Sequence, residues 1–212
     1  MNSPHQVTRD FEAALCEYTG ARFAVTVTSC TAALLLVCRW WCRDENQTWG
    51  AGIGVLPPFP FTIPKRTYVS VPMSIINAGG QVFFRDEDWS GAYQLAPYPI
   101  WDSARRFTSG MFMPGQFQCV SFHVSKILGD TQGGAILHDC PEADAWFRRM
   151  RFDGRTEGVA PKDDDIREVG YHYYMSPDVA ARLLHRLSFL PRVNDDLPND
   201  DYPDLSTFEI FR

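Results

Sequence analysis

The sequence predicts an α/β domain in which a mostly parallel sheet is flanked by helices, and three observations predict it. Short β-branched or aromatic runs alternate with segments of helical period along most of the chain. At 212 residues, 45% hydrophobic and 22% charged, the chain carries enough apolar material for one ordinary core. Small polar residues, a carboxylate and a lysine fall at the ends of the apolar runs, where open α/β sheets gather functional groups.

The elements follow in order. Residues 6–19, QVTRDFEAALCEYT, carry apolar positions at helical spacing, and Gly20 supplies a stop. FAVTVT, Phe23 to Thr28, is a short strand that runs into Ser29-Cys30-Thr31; TAALLLVCRWWC then continues as a largely buried helix. Residues 53–59 read as a second strand closed by prolines. Thr67 to Ala78 reads as a helix, and Gly79-Gly80 turns into the strand QVFFRD. Pro99 to Trp101 is a short strand that ends at Asp102, and residues 117–123 and 134–138 are two more. Cys140 to Arg151 and Ser176 to Leu190 read as amphipathic helices, the latter with Ser176 as N-cap and Pro177 at the first position. Residues 1–190 thus make one compact domain. The tail 191–212 is acidic, proline-punctuated and aperiodic, so either disorder or docking on a partner through Phe208 to Phe211 fits it.

Composition narrows the function classes. No apolar run reaches the length of a membrane span, and MNSPHQVTRDFE has no signal-peptide core, so a cytoplasmic protein is expected. The six cysteines show neither CxxC pairs nor zinc spacing, so no metal site is expected. A formal charge of −6 gives no electrostatic help toward nucleic acid.

Three constellations carry chemistry. The strand–TSCT–helix junction leaves free backbone N–H groups at a positive dipole end, which suits a phosphate, although an ordinary N-cap at Thr28 or Ser29 looks the same. Asp102 in WDSAR ends an apolar strand, where a plain turn aspartate also fits. Lys126 stands alone in CVSFHVSKILGDTQGGAILH, between two strands, where a lysine is usually a surface residue.

The order of these three, with two further segments, resembles the DegT/DnrJ/EryC1/StrS family of sugar aminotransferases, which are fold-type I pyridoxal-phosphate enzymes. The likeness runs over most of residues 9–190. RDFEAALCEYTGARFAVTVTSCTAAL is similar to the family's opening helix, strand and S-G-T or S-A-T phosphate loop. PKRTYVSVPMSIINAGGQVFFRDED resembles its P-x-x-T-(F/W)-x-(A/S)-T segment and the strand that follows. WDSARRFTSG is similar to D-x-A-(Q/H), SFHVSKILGDTQGGAI to S-F-x-x-x-K with G-E-G-G-A, and VGYHYYMSPDVAARLLHRL to G-Y-N-x-R-M.

The resemblance implies a reduced fold-type I large domain and pyridoxal 5'-phosphate as cofactor. By it, Lys126 forms the Schiff base and shuttles the proton, and Asp102 pairs with the pyridine nitrogen. Tyr68 stacks on the ring. Cys30 and Thr31 cradle the phosphate through backbone N–H groups, Thr31 and Ser121 add hydroxyls, and Gly133-Gly134 lets the backbone pass close by. A homodimer with shared sites follows, with His172 reaching the neighbouring subunit's site. The substrate implied is an amine or keto-sugar, nucleotide-linked by resemblance or polymer-attached if the cleft is open.

Four departures accompany the likeness. His172 stands where the family has Asn, and Tyr174 where it has Arg. Arg105 stands where it has Gln or His, beside the cofactor's phenolic oxygen. Two consequences of Arg105 stay open: a lowered proton affinity at the Schiff base, or a site for an anionic substrate. Only 16 positions separate Asp86 from Asp102, and the family's C-terminal small domain is not expected in this sequence. The sequence therefore predicts a PLP-dependent, aminotransferase-like enzyme. A PLP-dependent decarboxylase or lyase acting on a bulky or polymer-attached amino acid or a modified nucleotide is the alternative within catalysis. A non-catalytic PLP-binding or partner-binding scaffold is the alternative outside it.

Overall fold

The computed structural model describes residues 5–43, 59–199 and 202–211. The helices are α1 (Gln6–Thr19), α2 (Cys30–Trp41), α3 (Ser70–Asn77), α4 (Pro141–Met150) and α5 (Pro177–Leu187). The strands are β1 (Phe23–Val27), β2 (Pro60–Pro64), β3 (Gln81–Arg85), β4 (Tyr93–Gln94), β5 (Ile100–Asp102), β6 (Phe117–Ser121) and β7 (Gly134–His138).

Five strands form one sheet in the order β1-β7-β6-β5-β4, and β2 pairs with β3 in parallel. β5 and β6 are parallel, whereas the β1/β7, β6/β7 and β4/β5 pairs are antiparallel. An antiparallel bridge between Thr62 and Ala96 links the two sheets beyond the end of β4. Followed through these pairs, β1, β2, β3, β5 and β6 run one way and only β4 and β7 run the other. The mostly parallel orientation therefore holds, but the two reversed strands sit inside the order, so antiparallel neighbours predominate. Short connections explain both reversals: Leu95–Pro99 and the Phe122–Gly133 loop carry no crossover helix.

The sheet has a core on each face. β7 alternates, with Ala135 and Leu137 on one side and Ile136 on the other, and β6 does the same with Val120 and Cys119. On the first side lie Phe11 and Leu15 of α1 with Val179, Leu183 and Leu187 of α5. On the second lie Leu34, Leu36 and Val37 of α2, Ile75 of α3 and Phe147 of α4. α2 is buried around nearly its whole circumference, as its apolar sequence requires.

Several expected boundaries move for local reasons. Of the strand expected over 53–59, residues 53–58 lie outside the described residues, and the described strand β2 begins just after Phe59, at Pro60. The helix expected from Thr67 starts at Ser70, because the Thr67 hydroxyl is taken by Tyr93 and the Tyr68 carbonyl accepts from Val71 N. The strand expected to reach residue 123 stops at Ser121, where Phe122 N bonds Gly133 O and turns the chain. The helix expected to reach Leu190 ends at Leu187, and Phe189 and Leu190 continue it as tighter turns. α1 ends as read, with Gly20 at φ 83° returning its N–H to Cys16 O.

The tail docks on the chain itself. Asp196 pairs with Arg106, Leu205 is 1% exposed, and Phe211 packs edge-on to Phe84 with 6.3 Å between centroids. Among the described residues no helix is long and apolar enough to cross a membrane.

Candidate active site

A cavity of about 380 Å³ opens at the C-terminal ends of β1, β5 and β6. Its floor begins at the β1–α2 junction. Ser29 caps α2, its hydroxyl oxygen accepting from Ala32 N at 3.1 Å. The amides of Cys30 and Thr31, in the first turn, have no acceptor within the helix and point from its positive end. The Thr31 hydroxyl donates to Ser70 Oγ at 2.9 Å, tying this turn to α3. β7 must pass directly behind it: a Cβ on Gly134 would lie 2.5 Å from Cys30 N, so any side chain there displaces the turn. Gly133 adopts φ +139°, a conformation that other residues resist.

Asp102 ends β5 on the cavity wall and is 5% exposed. Tyr93 stands opposite it in the β4–β5 register and donates its hydroxyl to Oδ2 at 2.9 Å. Ala104 N donates to Oδ1 at 2.9 Å. Burial pushes the Asp102 carboxyl above its ordinary range, while the Ala104 amide, the Tyr93 hydroxyl, Lys126 and Arg105 pull it back. Two neutral donors leave acceptor capacity on the carboxylate for a further N–H.

Lys126 sits in the loop between β6 and β7, half-buried at the cavity. The loop is held from outside by α5. Arg182 grips Asp130 with Nη2 to Oδ2 at 2.8 Å, and Arg186 donates to Gly129 O at 2.6 Å. Burial lowers the proton affinity of Lys126, Arg105 lowers it further, and Asp102 and Cys30 oppose both. The Cys30 thiol is pushed well up by burial and by Asp102, so it is no thiolate near neutrality.

The cavity thus brings together Cys30, Thr31, Tyr68, Asp102, Arg105, Ser121 and Lys126 of the residues expected from sequence. It does not include His172, which is exposed with Nδ1 3.0 Å from Asp153 Oδ2. Four aromatic and hydroxyl side chains escaped sequence reasoning. Tyr93 and Thr67 form the relay behind Asp102, and Trp89 and Tyr202 line the wall beside Tyr68. The period-2 match of Tyr93 across a short hairpin is a usable signal for the first; nothing local marks Tyr202.

The sequence profile of the DegT/DnrJ/EryC1/StrS aminotransferase family matches residues 3–100 and 108–196. The chain belongs to this family. No curated protein sequence matches it. Among solved structures, it is similar to AtS13 from Actinomadura melliaura at 18% identity and TM-score 0.74, over 87% of this chain and 60% of that one. It is similar to PseC of Helicobacter pylori, an aminotransferase of pseudoaminic acid biosynthesis, at 15% identity and TM-score 0.68, over 88% and 58%. The sugar aminotransferase Spr1654 of Streptococcus pneumoniae, described as putative and solved in a PMP form, gives 20% identity and TM-score 0.66, over 87% and 59%. The likeness establishes the fold-type I α/β architecture, and the chain spans about three fifths of each of these proteins.

The donor set fits the cofactor of that fold. A helix N-terminus with hydroxyls beside it suits a phosphate, a buried carboxylate suits a protonated ring nitrogen, and a half-buried lysine stands at the same cavity.

Proposed function

We propose that the chain is a pyridoxal-phosphate-dependent, aminotransferase-like enzyme that acts on an amine or ketone borne by a sugar. The observation that carries this reading is the convergence of Lys126, Asp102 and the Ser29–Thr31 turn on one cavity. The cofactor, when bound, supplies an aldehyde for amines and a protonated ring that draws electrons from the neighbouring carbon.

The chain's own residues do the rest. The Cys30 and Thr31 amides and the Thr31 and Ser121 hydroxyls hold the phosphate, and Gly134 keeps that turn close. Asp102 accepts the ring N–H. Its buried position strengthens the interaction, and Tyr93 and Ala104 fix its plane. Tyr68, on the cavity wall, would stack on the ring. Lys126 would anchor the cofactor and would hold and return a proton at Nζ, a task for which a lowered affinity suits it. Trp89 and Tyr202 offer flat apolar faces of the kind that meet the C–H side of a sugar ring. A second copy of the chain, presenting His172 to the phosphate, completes the homodimeric arrangement that the family likeness suggests.

Mixing purified protein with pyridoxal phosphate should give a visible absorption band, and borohydride should fix the cofactor to the peptide containing Lys126. Lys126→Ala should lose both the band and the adduct. A cofactor that binds without attaching to Lys126 overturns the reading. Aminated sugars that bleach or shift the band then define the substrate.

A further inference from the structure

The tail returns to the cavity at Tyr202, and its anchors are the very segments that carry the cavity's outer wall. Before Tyr202, the Asp196 carboxylate meets two nitrogens of Arg106, with Nε to Oδ1 at 2.9 Å. Leu197 N donates to Arg105 O at 2.9 Å, and Gly91 N donates to Leu197 O at 3.2 Å. A Cβ on Gly91, at φ +68°, would fall 2.1 Å from Asp196, so the tail lies flush against that turn. After Tyr202, Leu205 N donates to Lys65 O at 2.8 Å, and Asp204 lies 3.4 Å from Lys65 Nζ. These contacts join the loops that deliver Tyr68, Trp89 and Arg105.

At the centre, Tyr202 stacks on Trp89 at 6.5 Å with 10° between planes and tilts against Tyr68 at 6.3 Å. Arg105, 6% exposed, donates to Tyr202 Oη at 3.3 Å and to Pro198 O at 2.6 Å. Its guanidinium carbon is 5.5 Å from the Tyr202 ring centroid.

We propose that residues 196–199 and 202–205 form a strap that is a working part of the site, with Tyr202 as the positioning residue that holds the Arg105 guanidinium at the cavity beside Lys126. The proposal rests on the cavity being a pyridoxal-phosphate site. Lys126 is faced by Asp102 from β5, Arg105 from the following turn, Cys30 from α2, and His123 from its own loop. Of these, Arg105 is the cation that the strap holds in place. A firmly held guanidinium disfavours a proton on the lysine nitrogen, and a loosened one disfavours it less.

The test uses the full chain with pyridoxal phosphate as probe, and reads the cofactor's dissociation constant and the pH midpoint of its visible band. Tyr202→Ala should weaken cofactor binding several-fold and raise the midpoint by roughly half a pH unit. Tyr202→Phe, which keeps the ring, should move it less and in the same direction. Arg105→Gln should raise it by about one unit, and adding Tyr202→Ala to that variant should raise it no further. Wild-type midpoints in both Tyr202 variants, or shifts that simply add in the double variant, overturn the strap. If Tyr202→Ala fails to fold, Tyr202→Phe alone and in the Arg105→Gln background decides by the same criteria. Failure of the cofactor to attach to Lys126 in the unaltered chain strikes the parent reading instead, before any variant is made.

Discussion

Two buried carboxylates, Glu12 on α1 and Asp102 at the end of β5, are treated in opposite ways. Glu12 of α1, 4% exposed, is met by the guanidinium groups of Arg151 and Arg148 and by the amide and hydroxyl of Thr26. Burial alone would raise its pKa, but Arg151 and Arg148 overwhelm burial and bring it down to about 2. Asp102 is equally buried, yet its bonded partners are a phenol and one backbone amide, and its pKa rises. The difference separates a charge that the fold bonds to guanidinium groups from one whose bonded partners are neutral. A closed network holds α1, β1 and α4 together; the open one suits a site.

That contrast can be broken from either side. The largest effect on stability is expected at Glu12. Glu12→Gln leaves Arg151, 1% exposed, buried beside an amide, and should cost about 3–5 kcal/mol in urea unfolding. Because the folded pKa of about 2 lies below the ordinary 4.5, Glu12 contributes stability above pH 4.5 that is lost as pH falls toward 2. Acid unfolding of the unaltered chain should therefore steepen in that window, and Glu12→Gln should flatten it. A variant as stable as wild type would place Glu12 outside the structural role.

Asp102→Asn should do the reverse, keeping the unfolding midpoint while lowering turnover by about 100-fold or more, since an amide does not hold a proton on the ring nitrogen. Turnover near wild type removes Asp102 from its role. The smallest effect is expected at Tyr93→Phe, which deletes one neutral donor to Asp102. A loss of about 1 kcal/mol, seen as a several-fold drop in cofactor affinity, is the expected result. No change in affinity would mean that Tyr93 only fills space.

The sheet-borne part of the site was legible because each residue sits where its own strand or helix ends. Ser29-Cys30-Thr31 follows β1, Asp102 closes β5, and Ser121 closes β6, so chain order alone brings them to one edge. Lys126 lies five residues past Ser121 on a loop whose glycines announce tight passage. The Tyr93 relay was less legible, since it depends on a two-residue strand whose register only the folded hairpin fixes. The Glu12–Arg151 pair, separated by 139 positions, carries no local mark at all.

By itself the sequence determined the layered α/β fold, the family, and the residues that chain order delivers to the sheet's edge. Periodicity and strand ends are local properties, and five ordered motifs fix their sequence along the chain. Only the tertiary structure decided that β4 and β7 run against the rest, that Asp102 keeps neutral partners while Glu12 gets guanidinium groups, and that the acidic tail comes back to the cavity. Those outcomes depend on which distant segments share a surface. Burial, charge pairing and the return of residues 191–199 and 202–211 are set by packing in three dimensions, which no local pattern encodes.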